Sequence, residues 1–539
     1  MLANTILVAV SYFASRLLGL VRETIIANQF GTDPVLDAYR ASFGIIDLIY
    51  IVIAGGALGS AFIPVFSGFL AKNQPDDAWR LASGVLNIAL LGLSLACLVI
   101  ALLAEPIVAL TVGRGFDSTK QALTVDLLRV MLFQPFLLGL GALNKATLES
   151  FDKFSLPALG SNLYNLGIIA GALAAPWLGI QGLVWGVNFG ALLFLLVQLP
   201  GLRQVGARYL RPDAASADSD EPQWLGVTGL RQVFVLLGPR LIGQAAWQVN
   251  LIAIASFAST LGDGAVAANT YALQLMLLPH GLLALSVATV LFPEMARQYA
   301  LGALGEVQRI ATGAIRSIIF FGLFCSILLS VLGVPIVRLL FERGRFDALS
   351  TSLTSEALIA YAFGLAAFAA AEIIVRTFYA MQDTMTPVVV GIMAVVVNIS
   401  GGWWLLGQQY GIAGLAFAFS VANIFEASVL LLVLGRRLTG LGRSFWWALL
   451  RMLLAAVFAG AVLFGLRWLS SDLVPTLLPG SAYRWPADFP TLALWTMPTS
   501  ALGALSYLGL AWMLRLSEPQ ALLARVFGRF RRPKNTEGA

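Results

Sequence analysis

The chain has 539 residues, 59% of them hydrophobic and 12% charged, against about a quarter charged in a soluble domain. A soluble globular protein is excluded, and a membrane β-barrel is disfavoured because the apolar runs are continuous where a barrel strand alternates. The net charge of +6 fits cytoplasmic loops against anionic lipid better than a nucleic-acid partner, and one histidine with two cysteines inside apolar runs, Cys97 and Cys325, gives neither a histidine-based metal centre nor a disulfide framework.

The apolar pattern predicts an all-α polytopic membrane protein of about 14 spans, near 4–28, 35–70, 79–103, 121–148, 157–178, 181–202, 229–259, 265–299, 306–338, 352–381, 385–407, 411–435, 444–468 and 490–515. The first run is long, carries charges and lacks a small-residue cleavage site, so no cleavable signal is expected. Lys and Arg concentrate in the loops on the side of the N-terminus, which places both termini in the cytoplasm.

The first span holds Arg16, Arg22 and Glu23. A guanidinium in hydrocarbon costs several kcal/mol, so such a residue is expected to face a partner or a water-filled cavity. Arg16 and Glu23 are seven apart, on one face but about 10 Å from each other, too far for Glu23 alone to neutralise Arg16. The second span carries Asp37, Arg40, Gly44 and Asp47 in steps of three, four and three, along one stripe. Asp37 and Arg40 could simply pair, but the stripe must face something other than lipid. The Gly-rich AGGALGSAF that follows has no P-loop lysine and reads as close helix packing.

GRGFD and RGRFD, ending at Asp117 and Asp347, read as turns with a structural or gating role. The acidic, Ala/Ser-rich stretch at 211–226 reads as a solvated linker. On its two sides the sequence repeats itself: Pro64 answers Pro293, Asp117 answers Asp347 and Pro157 answers Pro387, at displacements of 229, 230 and 230 residues. This predicts two parallel six-helix repeats, as in transporters built from halves related by an axis along the membrane normal. The expected organisation is an N-terminal lobe at 1–202, a cytoplasmic linker at 203–228, a C-terminal lobe at 229–440, an extra helix pair at 441–516 and a basic amphipathic cytoplasmic tail at 517–539.

In the second lobe, Asn250 and Asn398 lie within spans and are candidate ligands for a coupling cation of unknown identity. Glu372 and Arg376, four apart, read as a structural pair. Arg240 reads as snorkelling to the surface, and His280, after Pro279, as a polar group at a kink. No ATPase motif occurs, so transport is expected to draw on ion gradients, membrane potential or substrate removal.

SRLLGLVRETIIANQFG, LDAYRASFGIIDLIY, AGGALGSAFIPVF, LFERGRFD and TFYAMQDTMTPV, in that order over residues 4–440, together resemble the MurJ (MviN) family of lipid II flippases. That family belongs to the multidrug/oligosaccharidyl-lipid/polysaccharide exporter superfamily. The resemblance implies a lipid-linked anionic substrate, an undecaprenyl-diphosphate-linked peptidoglycan precursor. It implies two lobes alternating access to that substrate in a bacterial inner membrane, a groove for the isoprenoid tail along the extra helix pair, no cofactor and no enzymatic reaction. Arg16 and Arg22 match the family's first-helix cavity arginines and Asp37 an acidic position. Guanidinium groups suit a diphosphate because they are permanently charged and forked. The chain departs from better-known members at Ile51, at Gly55 and at Gln274, where those carry arginine, an acid and arginine. Arg40 is a candidate replacement for one missing cation.

The expected substrate-binding set is therefore Arg16, Arg22, Asp37, Arg40, Asp47 and Gln274. The rival expectations are a flippase for another lipid-linked oligosaccharide, a cation-coupled small-molecule exporter of the same superfamily, and a membrane scaffold that has lost transport.

Overall fold

The computed structural model describes residues 2–53, 56–210, 223–224, 227–438, 440–473 and 489–519. Most of the linker and nearly all of the basic tail, and with them the readings placed there, lie outside the described residues, as do Gly55 and the side chain of Arg240. The helices in chain order are α1 (Leu2–Phe30), α2 (Pro34–Ile53), α3 (Gly56–Ala71), α4 (Pro75–Leu102), α5 (Ala104–Leu110), α6 (Ser118–Met131), α7 (Phe133–Ser150), α8 (Ser155–Leu173), α9 (Ala175–Leu178), α10 (Ile180–Leu196), α11 (Leu199–Gln204) and α12 (Leu230–Ser259). They continue with α13 (Ala265–His280), α14 (Ser286–Ala300), α15 (Leu304–Phe341), α16 (Ala348–Ala380), α17 (Met385–Gly407), α18 (Gly411–Arg437), α19 (Arg443–Leu473) and α20 (Phe489–Met513). Gln223–Trp224 and Val227–Thr228 form a two-residue antiparallel pair just before α12.

The protein is a helical polytopic membrane protein. Among the described residues, ten helical segments are long and apolar enough to cross a bilayer by length and composition, against the fourteen expected. α2 is not among the ten, and it carries Asp37, Arg40 and Asp47 within its twenty residues. Its charges thus lower its apolar signal. Single elements end where their residues dictate. α4 opens on Pro75 with Asp76 and Asp77 in its first turn, the acidic start a helix dipole favours. α15 kinks at Leu332, three residues before Pro335, since a proline ring crowds the preceding turn. A π-helical turn at Gly281–Leu285 follows Pro279 and separates α13 from α14.

The repeat is visible in the turns. Left-handed backbone occurs at Asn73 and Gly302, at Asp152 and Gln382, and at Gly179 and Gln409, pairs again displaced by 229 or 230 residues. Asp117 accepts a hydrogen bond from the Lys120 N–H at 2.7 Å and Asp347 one from the Ser350 N–H at 2.8 Å. The two RGFD-like motifs are therefore matching helix N-caps, each satisfying a free donor three residues on.

The chain divides into two compact units, one of Met1–Tyr271 with Phe341–Leu353, the other of Ala272–Leu340 with Thr354–Ala539. α12 and the first turns of α13, which follow the linker in sequence, pack into the first unit. Its apolar core is centred on Phe62, Phe66 and Trp79, with Val227, Leu230 and Val233 joining from beyond the linker. The short Phe341–Leu353 segment clasps the α1–α2 turn. There the Arg345 N–H donates to the Asn28 carbonyl at 3.0 Å, Arg345 Nη1 lies 3.1 Å from Asp33, and Thr32 and Ser350 share a hydroxyl hydrogen bond of 2.8 Å. Gly31, at φ +56°, sits so close that an added Cβ would fall 2.3 Å from the Arg345 carbonyl oxygen, so only glycine fits. In the second unit, Tyr507 of α20 donates to the Phe320 carbonyl at 2.8 Å, and Arg316 bonds Glu518 at 2.8 Å. α15, α19 and α20 are joined there through Phe320, Met452, Ala455 and Tyr507.

Candidate functional site

The site is built on α1, α2 and α8, all in the first unit. α8 is set by a glycine seam against α10. An added Cβ at Gly167 would lie 2.3 Å from Gly190 Cα, and one at Gly186 would lie 2.6 Å from Gly171 Cα. The two backbones are in contact, the small-residue packing that membrane helices use in place of a hydrophobic drive. From α8, Asn165 reaches α1. Its Nδ2 donates to the Ser15 carbonyl at 3.3 Å, to Ser15 Oγ at 3.2 Å and to the Ser161 carbonyl at 3.2 Å, while its Oδ1 accepts from Arg22 Nη1 at 3.0 Å.

Glu23 is the hub. Its Oε1 accepts from Arg22 Nε at 2.9 Å and Nη2 at 2.7 Å, a forked pair, and its Oε2 accepts from Arg40 Nη2 of α2. The Glu23 and Arg40 side chains are 5% and 7% exposed, the Arg22 side chain 21%. The Arg40 guanidinium also lies over the rings of Tyr39 and Tyr271, 5.7 and 5.3 Å from their centroids, so it is sealed between a carboxylate and two aromatic faces. One carboxylate is shared by two guanidinium groups, and the more exposed of the two is Arg22.

Arg16 is exposed on α1 and has neither a hydrogen bond nor an ion pair among the described residues. Asp47 is half-buried on α2, accepts no hydrogen bond among the described residues, and feels the charge of Arg22. Asp37 stands apart. It is fully buried, accepts from the Gly264 N–H at 2.7 Å and the Ala267 N–H at 2.8 Å, and holds Lys120 Nζ at 2.7 Å. Lys120 also reaches Asp263 at 3.0 Å and lies over the Phe116 ring. Both Asp37 oxygens are thus taken by the start of α13 and by α6. Asp37 and Arg40 do not pair with each other, although they sit three residues apart.

Gln274 is half-buried on α13 in the second unit. Asn250 is buried on α12 and Asn398 on α17. Glu372 and Arg376 form a salt bridge of 2.8 Å, and the His280 ring lies 4.4 Å from that of Phe368. Sequence reasoning missed three members of the site region: Glu23 as the shared acceptor, Asn165, and Lys120, which reads in sequence as a loop cation. An apolar, glycine-rich helix gives no sign that one asparagine turns inward. The mixed run Arg22–Glu23 was a usable signal for the first.

The family model described as Lipid II flippase MurJ matches residues 26–481. A lipid II flippase MurJ of Burkholderia cenocepacia is 31% identical over 460 residues, covering 84% of this chain and 86% of that protein. A probable lipid II flippase MurJ of Vibrio cholerae is 30% identical over 496 residues, 87% and 91% of the two chains. Among solved structures, the inward closed conformation of a lipid II flippase MurJ superposes with a TM-score of 0.75 at 23% identity, covering 98% of this chain and all of that one. An inward-facing multidrug resistance transporter of the MATE family superposes with a TM-score of 0.65 at 15% identity, over 79% and 95%. These two structural likenesses bear on the fold alone.

Proposed function

The chain belongs to the lipid II flippase MurJ family, a family of inner-membrane transporters, and from that premise we propose that it carries lipid II from the cytoplasmic to the outer leaflet by alternating access. No covalent bond changes in this reaction, so no catalytic residue and no cofactor is assigned. Both termini lie in the cytoplasm in this reading, and the isoprenoid tail stays in lipid along α19 and α20.

The observation that carries the reading is the polar cluster on α1 and α2. Hydrocarbon penalises each uncompensated polar group of a sugar-peptide headgroup by roughly 2–7 kcal/mol, so its passage needs a hydrated, charged path. Arg16, exposed and unpaired among the described residues, and Arg22, with N–H groups that neither Glu23 nor Asn165 takes, offer that path two guanidinium groups for the diphosphate. Asp47 tunes the charge beside Arg22, and Gln274 is a neutral donor on α13. Asn250 and Asn398 are kept as ligands for a coupling cation. Asp37 and Arg40, being buried and bonded to protein, have supporting roles in this reading and do not touch the headgroup.

Depletion of the protein in its own host, with lipid II measured on each leaflet, tests it. Lipid II accessible from outside is expected to fall as the cytoplasmic pool rises. Unchanged outward lipid II overturns the reading, and loss of a different surface glycan alone favours a flippase for another lipid-linked oligosaccharide. Arg16→Ala and Arg22→Ala are each expected to lower flipping by tenfold or more, about 1.4 kcal/mol, at normal membrane levels.

A further inference from the structure

Arg40 cannot touch a ligand in this structure, yet it decides the charge the site presents. The charged side chains of α1 and α2 are Arg16, Arg22 and Arg40 against Glu23, Asp37 and Asp47, and Asp37 is answered separately by Lys120. With Asp37 set aside, the two helices carry three cations and two carboxylates, so one positive charge is in excess. Removing Arg40 erases that excess and leaves the Glu23 charge that Arg40 had answered to weigh on Arg22. An adjacent Arg–Glu pair by itself is a neutral, self-satisfied fork with little to offer an anion. With Arg40 seated under Tyr271 and holding one Glu23 oxygen, the carboxylate is divided and Arg22 keeps part of its charge for a ligand.

We infer that Arg40 is a positioning residue that makes Arg22 an anion site by sharing Glu23, and that it sets the affinity for a lipid diphosphate without contacting it. The inference rests on the lipid-flippase reading above. The geometry also explains the orientation of the Arg22 fork. Glu23 fixes two of its nitrogens from one side and Asn165 the third from another, so its remaining N–H groups point in one set direction. At a separation of several ångströms and an effective dielectric near 20, one buried unit charge changes the binding of a singly charged anionic group by about tenfold or more.

The test uses the full-length protein in detergent and a fluorescent polyprenyl diphosphate, with binding read by anisotropy at low and high salt. Arg40→Met is expected to weaken binding by about tenfold and to flatten its salt dependence. Glu23→Gln added to Arg40→Met restores the one-charge excess and is expected to bring affinity back to within about threefold of the starting protein. Arg40→Lys keeps the charge and is expected to bind nearly as well. A merely structural role for Arg40 predicts no such recovery, because the double variant removes two native partners instead of one. If Arg40→Met does not fold, the comparison of Arg40→Lys with the double variant decides, since neither leaves a buried charge alone. Arg40→Met binding like the starting protein, or a double variant no better than Arg40→Met, overturns the inference and leaves the flippase reading standing. An unsubstituted protein that ignores the probe removes both.

Discussion

In the first turn of α2, Asp37 is paired with Lys120 at 2.7 Å, the two side chains 0% and 8% exposed. Breaking such a buried pair leaves a charge with no partner, a loss of about 3–5 kcal/mol. Asp37→Ala is expected to destabilise by that amount, seen as a lowered unfolding temperature in detergent, because Lys120 then keeps only Asp263, whose side chain is 71% exposed. Asp263→Ala, which removes only the exposed partner, is expected to cost under about 1 kcal/mol. Asn165→Ala is a different kind of change. It deletes the charge-assisted hydrogen bond from Arg22 together with the Nδ2 bonds to Ser15 and Ser161, a stability effect of about 1.5–3 kcal/mol, and it frees the guanidinium to rotate, so transport is expected to fall as well as stability. The sequence already showed that Asp37, Arg40 and Asp47 share a helix face. What waits for each of them was not legible, because Lys120 lies 83 residues from Asp37 and Asn165 lies 143 residues from Arg22, and a stripe fixes direction without naming the neighbour.

Helices and turns were the more readable level. Continuous apolar runs announce membrane helices, and the repeated motifs ending at Asp117 and Asp347 read as turns, whose part as helix N-caps only the structure displays. The glycine seam of α8 and α10 was not announced, since glycine every fourth residue is common in membrane helices and only facing copies make a seam. A leucine at Gly167 or Gly186 has no room and is expected to lower thermal stability and, by shifting α8, to loosen the Asn165–Arg22 contact; flipping assayed beside unfolding temperature checks both. Between α16 and α17, burial pushes the Asp383 carboxyl up. Hydrogen bonds from the N–H and hydroxyl of Thr386, the charge of Arg437 and the Met385 N–H outweigh that and hold it below the usual aspartate range. A carboxyl depressed in the folded state adds stability that is complete above its unfolded value, near pH 4, and is lost as pH falls through the lower folded value. The stability gap between the unsubstituted protein and Asp383→Asn is therefore expected to be constant from about pH 5 upward and to shrink below about pH 4, as thermal melts across that range would record.

At the scale of the molecule, the repeat could be read from three anchor pairs because turn chemistry is local and tolerates few substitutes. The compact units could not, because packing joins distant stretches of chain. The first unit takes α12 and the opening of α13 from beyond the linker, and the Phe341–Leu353 segment from between two helices of the second unit. The backbone consequently passes from one unit to the other three times, after Tyr271, Leu340 and Leu353. No single cut can set either unit free. A gene split within the linker yields two polypeptides that must interlock, the longer one supplying two strips of a body begun by the shorter. Neither fragment is expected to accumulate by itself, and the two produced together are expected to purify as one complex, whereas independent accumulation of the shorter piece would mean that its borrowed strips are dispensable.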